Sequence, residues 1–408
     1  MIQHDFKAIG SADILATPMH SRFIMSTSLA TMIRLRAIQN RTRELFSEMN
    51  DLHYRLQFHP ELSAAGWHLA HGHFYENYWL HEVIQQNDTL TADKSLLMSD
   101  SCPKAERGPR LEPLADAIKT IAQQQDANDL LLMEKVPPLS DHPLFADEYI
   151  ENHIIQHYAQ HYENICMIQH QVNIRNDRGN YQPQQPLQAS PAQRNMAQIA
   201  AGEYLIGGEQ PFAYDNELPQ HKKQLEAFNI AITPVSNSEY LNFMQQDGYS
   251  RRELWSDAGW QWLQQHPVSH PQHWKQNQAQ QWYGIDHQGA HDLGADDPVH
   301  GINYYEASAY ANWVNARLPH EHEWEVAACQ AQLSDTARVW EWCGNSFYAY
   351  ENFRAFPGEK SSSDFNGEHK VLKGGSPHTR PEIKRASFRS FYLPHQRHIL
   401  SGLRLAFD

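Results

Sequence analysis

The chain has 408 residues, 41 % of them apolar, with 11 Trp, 18 Tyr and 16 Phe, which is enough apolar matter for the cores of two or three domains. Its formal charge is −15 and its Lys and Arg are scattered, which argues against a nucleic-acid or anionic-membrane surface. Its four cysteines, Cys102, Cys166, Cys329 and Cys343, are far apart and form no C-x-x-C, which fits a reducing cytoplasm and argues against both a disulfide framework and a thiolate zinc site.

The apolar run from Phe23 to Ile33 is short and interrupted by Ser and Thr, so it is expected to begin a helix rather than to be a signal peptide or a membrane span. From Ser28 to Met49, Leu29, Met32, Ile33, Leu45, Phe46 and Met49 fall on one face of an amphipathic helix. A turn at His59-Pro60-Glu61-Leu62 follows, with Ser63 as the expected N-cap. The next helix reads AAGWHLAHGHFYENYWLHEVI and carries His68, His71 and His73. Asp100 to Pro113 is expected as a loop holding Arg107 and Arg110, which are either solvated or a clamp on a carboxylate. Leu114 to Met133 reads as a third helix.

The fourth helix, around Glu151 to Gln169, contains His157-x-x-x-His161-x-Glu163, with His153 one turn earlier. Residues four apart on a helix lie one above the other, so His157 and His161 can present two imidazoles to one point. They are either a metal-binding pair that needs a third ligand from elsewhere or a histidine-rich solvated face. Four helices around an internal histidine site predict a bundle. Asn173 to Gln193 is polar and rich in Gln and Pro, a linker by composition. The expected division is therefore a helical domain over 1–172, a linker over 173–195 and a second domain over 196–408.

The second half is expected to hold short strands, long loops and few helices, among them Asn237 to Gln246 and Tyr305 to Ala316. Such loops on a scaffold often supply binding residues. The stretch Trp260 to Trp282 is expected as a surface excursion without a role. Glu321 and Glu323 of His320-Glu321-His322-Glu323 are expected to serve a helix N-terminus. No Walker loop, G-x-S-x-G or dinucleotide fingerprint occurs.

The segments GEYLIGG, DNELPQH, PVSNSEYLNF, ARLPHEHEWEVAA, VWEWCGN, VLKGGS and GLRLAF resemble the formylglycine-generating-enzyme-like, or sulfatase-modifying-factor, domain, a variant of the C-type lectin fold. The copper-binding cysteines of true formylglycine-generating enzymes are not present: Pro377-His378-Thr379-Arg380 follows Gly374-Gly375-Ser376. The N-terminal half resembles a DinB-like four-helix bundle. The ordered pair of domains, with GWHLAH and then HYAQHYE, is similar to the non-haem iron sulfoxide synthases of ergothioneine and ovothiol biosynthesis and the related selenoneine synthases.

The resemblance implies an oxidoreductase with Fe(II) on His71, His157 and His161. It places Glu163 behind a ligand imidazole and sets Gln160 and Phe391 against the substrate, with Arg107 and Arg110 at a donor-carboxylate clamp. It implies O2, hercynine and a thiol or selenol as small-molecule partners of a cytoplasmic monomer or homodimer, and a bond from sulfur to imidazole C2. Two departures stand out. Phe353 to Pro357 is followed by Gly358-Glu359-Lys360-Ser361, without the family's catalytic Tyr, so Tyr392 is the candidate replacement. An acid and an Arg of the family's donor wall correspond to Tyr392 and Gln396, which points to cysteine, another thiol or a selenosugar rather than γ-glutamylcysteine. The rival readings are a selenoneine synthase, a thiol dioxygenase and a non-catalytic binding homologue.

Overall fold

A computed structural model describes residues 27–87, 94–135, 142–193, 195–356 and 361–408. Residues 1–26 and Pro357 to Lys360, on which part of the Phe23 run and part of the missing-Tyr stretch fall, lie outside the described residues. The first half is helical, and its long helices are Leu29–Glu44, Ala65–Asn77, Leu114–Glu134 and Tyr149–Asn176. The last of these is called the central helix below.

Ser28 caps the first helix through Thr31 N. The buried face of that helix is Met32, Leu35, Ile38 and Thr42, while Leu29 and Ile33 face outward, so the expected face is turned by about one position. Ser63 does not cap the second helix. Ala64 stands at the N-cap, and the Ser63 hydroxyl accepts from Arg107 Nη1 at 2.7 Å. Beyond Asn77 the same helix widens into a π-turn, Tyr78–Ile84. The expected loop around Arg107 is two short turns, Lys104–Arg107 and Gly108–Arg110.

A buried polar network fastens the four long helices to one another. The carboxylate of Glu76 accepts from Tyr158 Oη at 2.7 Å, Asn128 Nδ2 at 2.8 Å and Gln39 Nε2 at 3.0 Å, and Gln125 Nε2 donates to Tyr158 Oη at 3.0 Å. Each helix contributes at least one member, so the network favours one arrangement of the four. Gly72 lets the second helix approach the central helix closely, since a Cβ there would stand 3.0 Å from the Tyr158 ring.

The second half contains β1 (Met196–Ile199), β2 (Gly202–Ile206), β3 (His221–Leu225), β4 (Phe228–Ala231), β5 (Trp274–Gln276), β6 (Trp282–Asp286) and β7 (Gly289–His291). It continues with β8 (Trp340–Ser346), β9 (Lys370–Gly374), β10 (Ser390–Tyr392), β11 (Ser401–Gly402) and β12 (Ala406–Phe407). They form sheets in the orders β1-β4-β12, β10-β9-β8-β11, β2-β3 and β5-β6-β7. Helices Asn237–Gln245, Tyr304–Trp313 and Glu321–Cys329 pack among them. Glu323 accepts from His320 N at 2.7 Å at the start of the last of these, as its position predicts.

Buried ion pairs stiffen this half: Arg404 with Glu341, Arg389 with Glu321 and Lys373 with Glu325, all with side chains no more than 3 % exposed. The Trp260–Trp282 stretch is not a surface excursion, for Trp262, His273 and Trp274 are buried in it. Its density of tryptophan is a core signal that the surrounding Gln and His residues mask.

The central helix is where the two halves meet. One hydrophobic cluster runs from Ile154, Ile165 and Met167 of that helix into Trp340, Trp342 and Leu372 of the sheets. The polar segment after Asn176 is laid along the second half. Tyr181 Oη donates to Asp292 at 2.8 Å, and Ser190 N donates to Ser238 O at 3.0 Å. All four cysteines are free thiols, and among the described residues no helix is long and apolar enough to cross a membrane.

Candidate metal centre and adjoining cavity

His71, His157 and His161 converge: one ligand nitrogen from each lies within 4.8 Å of the others. The ring centroids are separated by 5.1 Å for His71–His157, 4.8 Å for His71–His161 and 4.4 Å for His157–His161. The i, i+4 spacing on the central helix supplies two imidazoles, and the close approach at Gly72 brings the third.

Each ring is held by a neighbour. Trp67, one turn before His71, stacks on it at 4.4 Å and 10°, and His71 Nδ1 hydrogen-bonds Leu97 O, which leaves Nε2 for the centre. Tyr75, one turn after His71, stacks on His157 at 3.8 Å and 13° and pairs its hydroxyl with His153 Nε2 at 2.7 Å. His68 Nδ1 meets His161 Nδ1 at 2.8 Å. Trp67 and Tyr75 were not singled out in the sequence, although their positions four residues either side of His71 are the signal that could have found them.

Burial pushes the pKa of His157 and His161 well below the ordinary range, with the neighbouring imidazoles adding to the effect. The rings are therefore neutral at neutral pH, the form a metal requires. The Nδ1 of His157 is a buried polar atom without a hydrogen-bond partner. Neutral, close-set imidazoles fit a divalent transition metal, and three of them leave coordination positions open. The other nearby histidines are engaged elsewhere: His73 with Gln124 and Asn77, and His153 with Tyr75.

Beside this cluster, between the central helix and the β8–β9–β10 sheet, is a cavity of about 160 Å³. Gln160, Phe391 and Tyr392 all line it. At about 100° per residue, Gln160 and Met167 lie on the helix face next to that of His157 and His161, so cavity and imidazole cluster share an edge of one helix. Phe391 is fixed by stacking on Phe347 at 4.0 Å. Burial, with Glu163 nearby, pushes the Tyr392 phenol upward, so it keeps its proton at neutral pH.

Four expected residues are placed differently. Glu163 does not reach a ligand imidazole. Two positions beyond His161 it points about 200° away around the helix, into the cavity wall. There it accepts from Trp340 Nε1 at 2.8 Å, Thr379 Oγ1 at 2.9 Å and Ser376 Oγ. Burial raises its pKa against the pull of those hydrogen bonds.

Arg107 is turned inward onto Cys102 O at 2.9 Å, Ser63 Oγ at 2.7 Å and Ser99 O, and lies 4.0 Å over the Trp67 ring. Arg110 donates to Ser95 Oγ at 2.8 Å. Neither lines the cavity, so neither clamps a carboxylate there. The short turns from Lys104 to Arg110 aim the guanidinium groups at nearby oxygen atoms, and Arg107 backs the tryptophan that braces His71. Gln396 likewise turns away, donating to Glu61 at 3.0 Å and accepting from Leu393 N at 3.0 Å.

The family described as "Sulfatase-modifying factor enzyme 1-like domain" matches residues 182–338. The "Hercynine oxygenase" of Mycolicibacterium thermoresistibile is 29 % identical, with 91 % of this chain and 93 % of that protein covered. The protein of the same name from Mycobacterium tuberculosis is 32 % identical over 49 % of this chain and 57 % of its own. "Ergothioneine biosynthesis protein 1" of Schizosaccharomyces pombe is 28 % identical over 48 % of this chain and 27 % of its own. The fold and the imidazole cluster thus define a protein in which a helical, histidine-bearing region precedes a sulfatase-modifying-factor-like domain of mixed helices and sheets. Similarity to a hercynine oxygenase runs through both halves, which supports the ergothioneine-type family for this chain.

Proposed function

We propose that this protein is an oxygenase that acts on hercynine, a non-haem Fe(II)- and O2-dependent sulfoxide synthase joining a thiol donor to C2 of the hercynine imidazole. The observation that carries the proposal is the convergence of His71, His157 and His161 beside a cavity that contains Gln160, Phe391 and Tyr392. Similarity to proteins named hercynine oxygenase supports it. In the same reading the helical region is a DinB-like bundle over residues 1–172, joined through 173–195 to a C-type-lectin-like domain over 196–408.

Bound Fe(II) would supply open coordination positions and a path by which electrons pass from the two substrates to O2. Overall, the imidazole loses its C2 hydrogen and the donor its S–H, a C–S bond forms, one oxygen atom ends on sulfur and the other leaves as water. The residues of this chain do the rest. Leu97 O fixes the tautomer of His71, and the Trp67 and Tyr75 rings hold His71 and His157 in plane. Gln160 and Phe391 bind the acceptor, the amide by hydrogen bonding and the ring by packing. Tyr392 offers a protonated phenol inside the cavity, suited to hand a proton to a developing anion. Glu163 fixes the sheet wall to the central helix.

The donor is a thiol other than γ-glutamylcysteine. The cavity wall at Tyr392 offers a phenol where an ammonium would need a free acid, and the one carboxylate present, Glu163, is engaged by Trp340, Ser376 and Thr379. The same observation favours the second reading, a selenosugar donor and a selenoneine-type product.

The test is substitution of the three histidines. His71→Ala, His157→Ala and His161→Ala each abolish formation of sulfoxide from hercynine and a thiol under air, while His153→Ala retains it. Full turnover by His157→Ala would place the reaction elsewhere.

A further inference from the structure

A second cluster of imidazoles lies on the central helix, nine residues beyond His161 and therefore about 14 Å along its axis. His170 comes from the helix, His287 from the turn between β6 and β7, and His378 from the loop that follows β9. One ligand nitrogen from each lies within 4.8 Å of the others. His170 Nε2 and His378 Nε2 face one another at 3.1 Å, and the rings of His287 and His378 stand edge to face at 4.6 Å. Two nitrogens on a tetrahedral zinc at 2.0–2.1 Å are about 3.3 Å apart, so the observed separation is close to the edge of such a site.

We propose that His170, His287 and His378 form a second metal site, for a divalent late transition ion of the zinc type, that pins the helical half of the molecule to the sheet half. The buried Nδ1 atoms of both His170 and His287 lack a hydrogen-bond partner, and His170 is only 2 % exposed. Buried imidazole nitrogens without partners, as Nδ1 of His170 and of His287 are, are costly, and the facing Nε2 atoms of His170 and His378 have only each other unless something accepts their lone pairs. A cation does so, with Nε2 of His170 and His378 both directed at it. Burial holds His170 and His378 below the ordinary range, so the lone pairs are available at neutral pH.

The all-imidazole donor set suits zinc, copper, nickel or cobalt better than magnesium or calcium, which prefer oxygen. Three protein ligands leave one position for water. The three ligands come from segments at least 91 residues apart in sequence, at 170, 287 and 378. A metal bound by all three therefore crosslinks the central helix to the hairpin and to the loop that carries Ser376 and Thr379, the partners of Glu163. The site is thus structural, and separate from the cluster at His71.

The experiment is a titration of the chelator-treated full-length protein with Co(II), followed by its visible absorption, with Zn(II) as competitor. The wild type takes up two equivalents, and His157→Ala takes up one. His378→Gln and His287→Gln each take up one as well, and zinc raises the Tm of the wild type more than that of either variant. His378 and His287 are half-buried, and His287 sits on a hairpin turn, so two independent variants keep the fold. Saturation of the wild type at one equivalent that His287→Gln and His378→Gln both retain overturns the proposal, as does uptake of two equivalents by both folded variants. A wild type that saturates at one equivalent, unchanged in His157→Ala and lost in both His378→Gln and His287→Gln, leaves this second site standing and removes the first.

Discussion

At the scale of single residues, the imidazole cluster rests on spacing and on neighbours. The pair at 157 and 161 is legible because i, i+4 histidines share a helix face, whereas the choice of His71 over His68 or His73 came from the family motif and not from periodicity. The structure gives the physical counterpart: His73 is bonded to Gln124 and Asn77, while His71 sits between Trp67 and the cluster. Helix phase turns Glu163 away from the imidazoles and toward Trp340, despite its closeness to His161 in sequence. Two substitutions separate these roles. Glu163→Gln sets an amide N–H against three donors, which costs about 1–3 kcal/mol of stability and leaves the metal content unchanged. Gln160→Ala raises KM for the acceptor more than KM for the donor. Chemical denaturation and steady-state kinetics on the two variants check this. Loss of metal from Glu163→Gln would restore it to a ligand-orienting role.

At the scale of elements, the third ligand depends on how closely two helices pack. Gly72 is next to His71 in sequence, and a Cβ there would stand 3.0 Å from a Tyr158 ring that Glu76 and Gln125 hold in place. Gly72→Ala gains about 1 kcal/mol in helix propensity. Against that, overpacking costs roughly 1–3 kcal/mol and moves His71 away from His157 and His161. The expected outcome is little change or a loss in Tm together with a clear loss of metal affinity, read by titration. Unaltered affinity would mean that the helix shifts without carrying His71 with it. Such contacts were not legible in the sequence, because which residue meets which across two helices depends on phase and crossing angle. The helices themselves were legible, for Leu114–Glu134 differs from expectation by one residue at its end. The inward turn of Arg107 is not legible for the opposite reason: a short loop has no periodicity from which to infer where a guanidinium points.

At the scale of the whole molecule, the chain buries many neutral imidazoles, and this makes stability depend on pH. Burial holds His398, 2 % exposed, at about 3. Its unfolded value is about 6.5. The unfolded state therefore binds the proton first, and the stabilising contribution, complete above about 6.5, is lost as pH falls toward 3. One such group costs about 1.4 kcal/mol between pH 7.5 and 5.5. His170 and His273, shifted in the same direction, add to it in the metal-free protein. Denaturant midpoints of the metal-free protein at the two pH values check this, and equal midpoints would show that the imidazoles are solvated. The join between the halves was hidden from the sequence by the polar composition after Asn176, which reads as a free linker although Asp292 and Ser238 hold it down.

The central claim concerns the reaction, and mass analysis of its products tests it most directly. Iron-loaded protein is given one pool of hercynine with equimolar cysteine, γ-glutamylcysteine and a selenol or thiol sugar, under air. The account predicts a product whose mass is hercynine plus donor, less two hydrogens and plus one oxygen in the thiol case, with γ-glutamylcysteine the poorest donor. Oxidised donor beside untouched hercynine would contradict it, and would make the centre at His71, His157 and His161 a thiol dioxygenase.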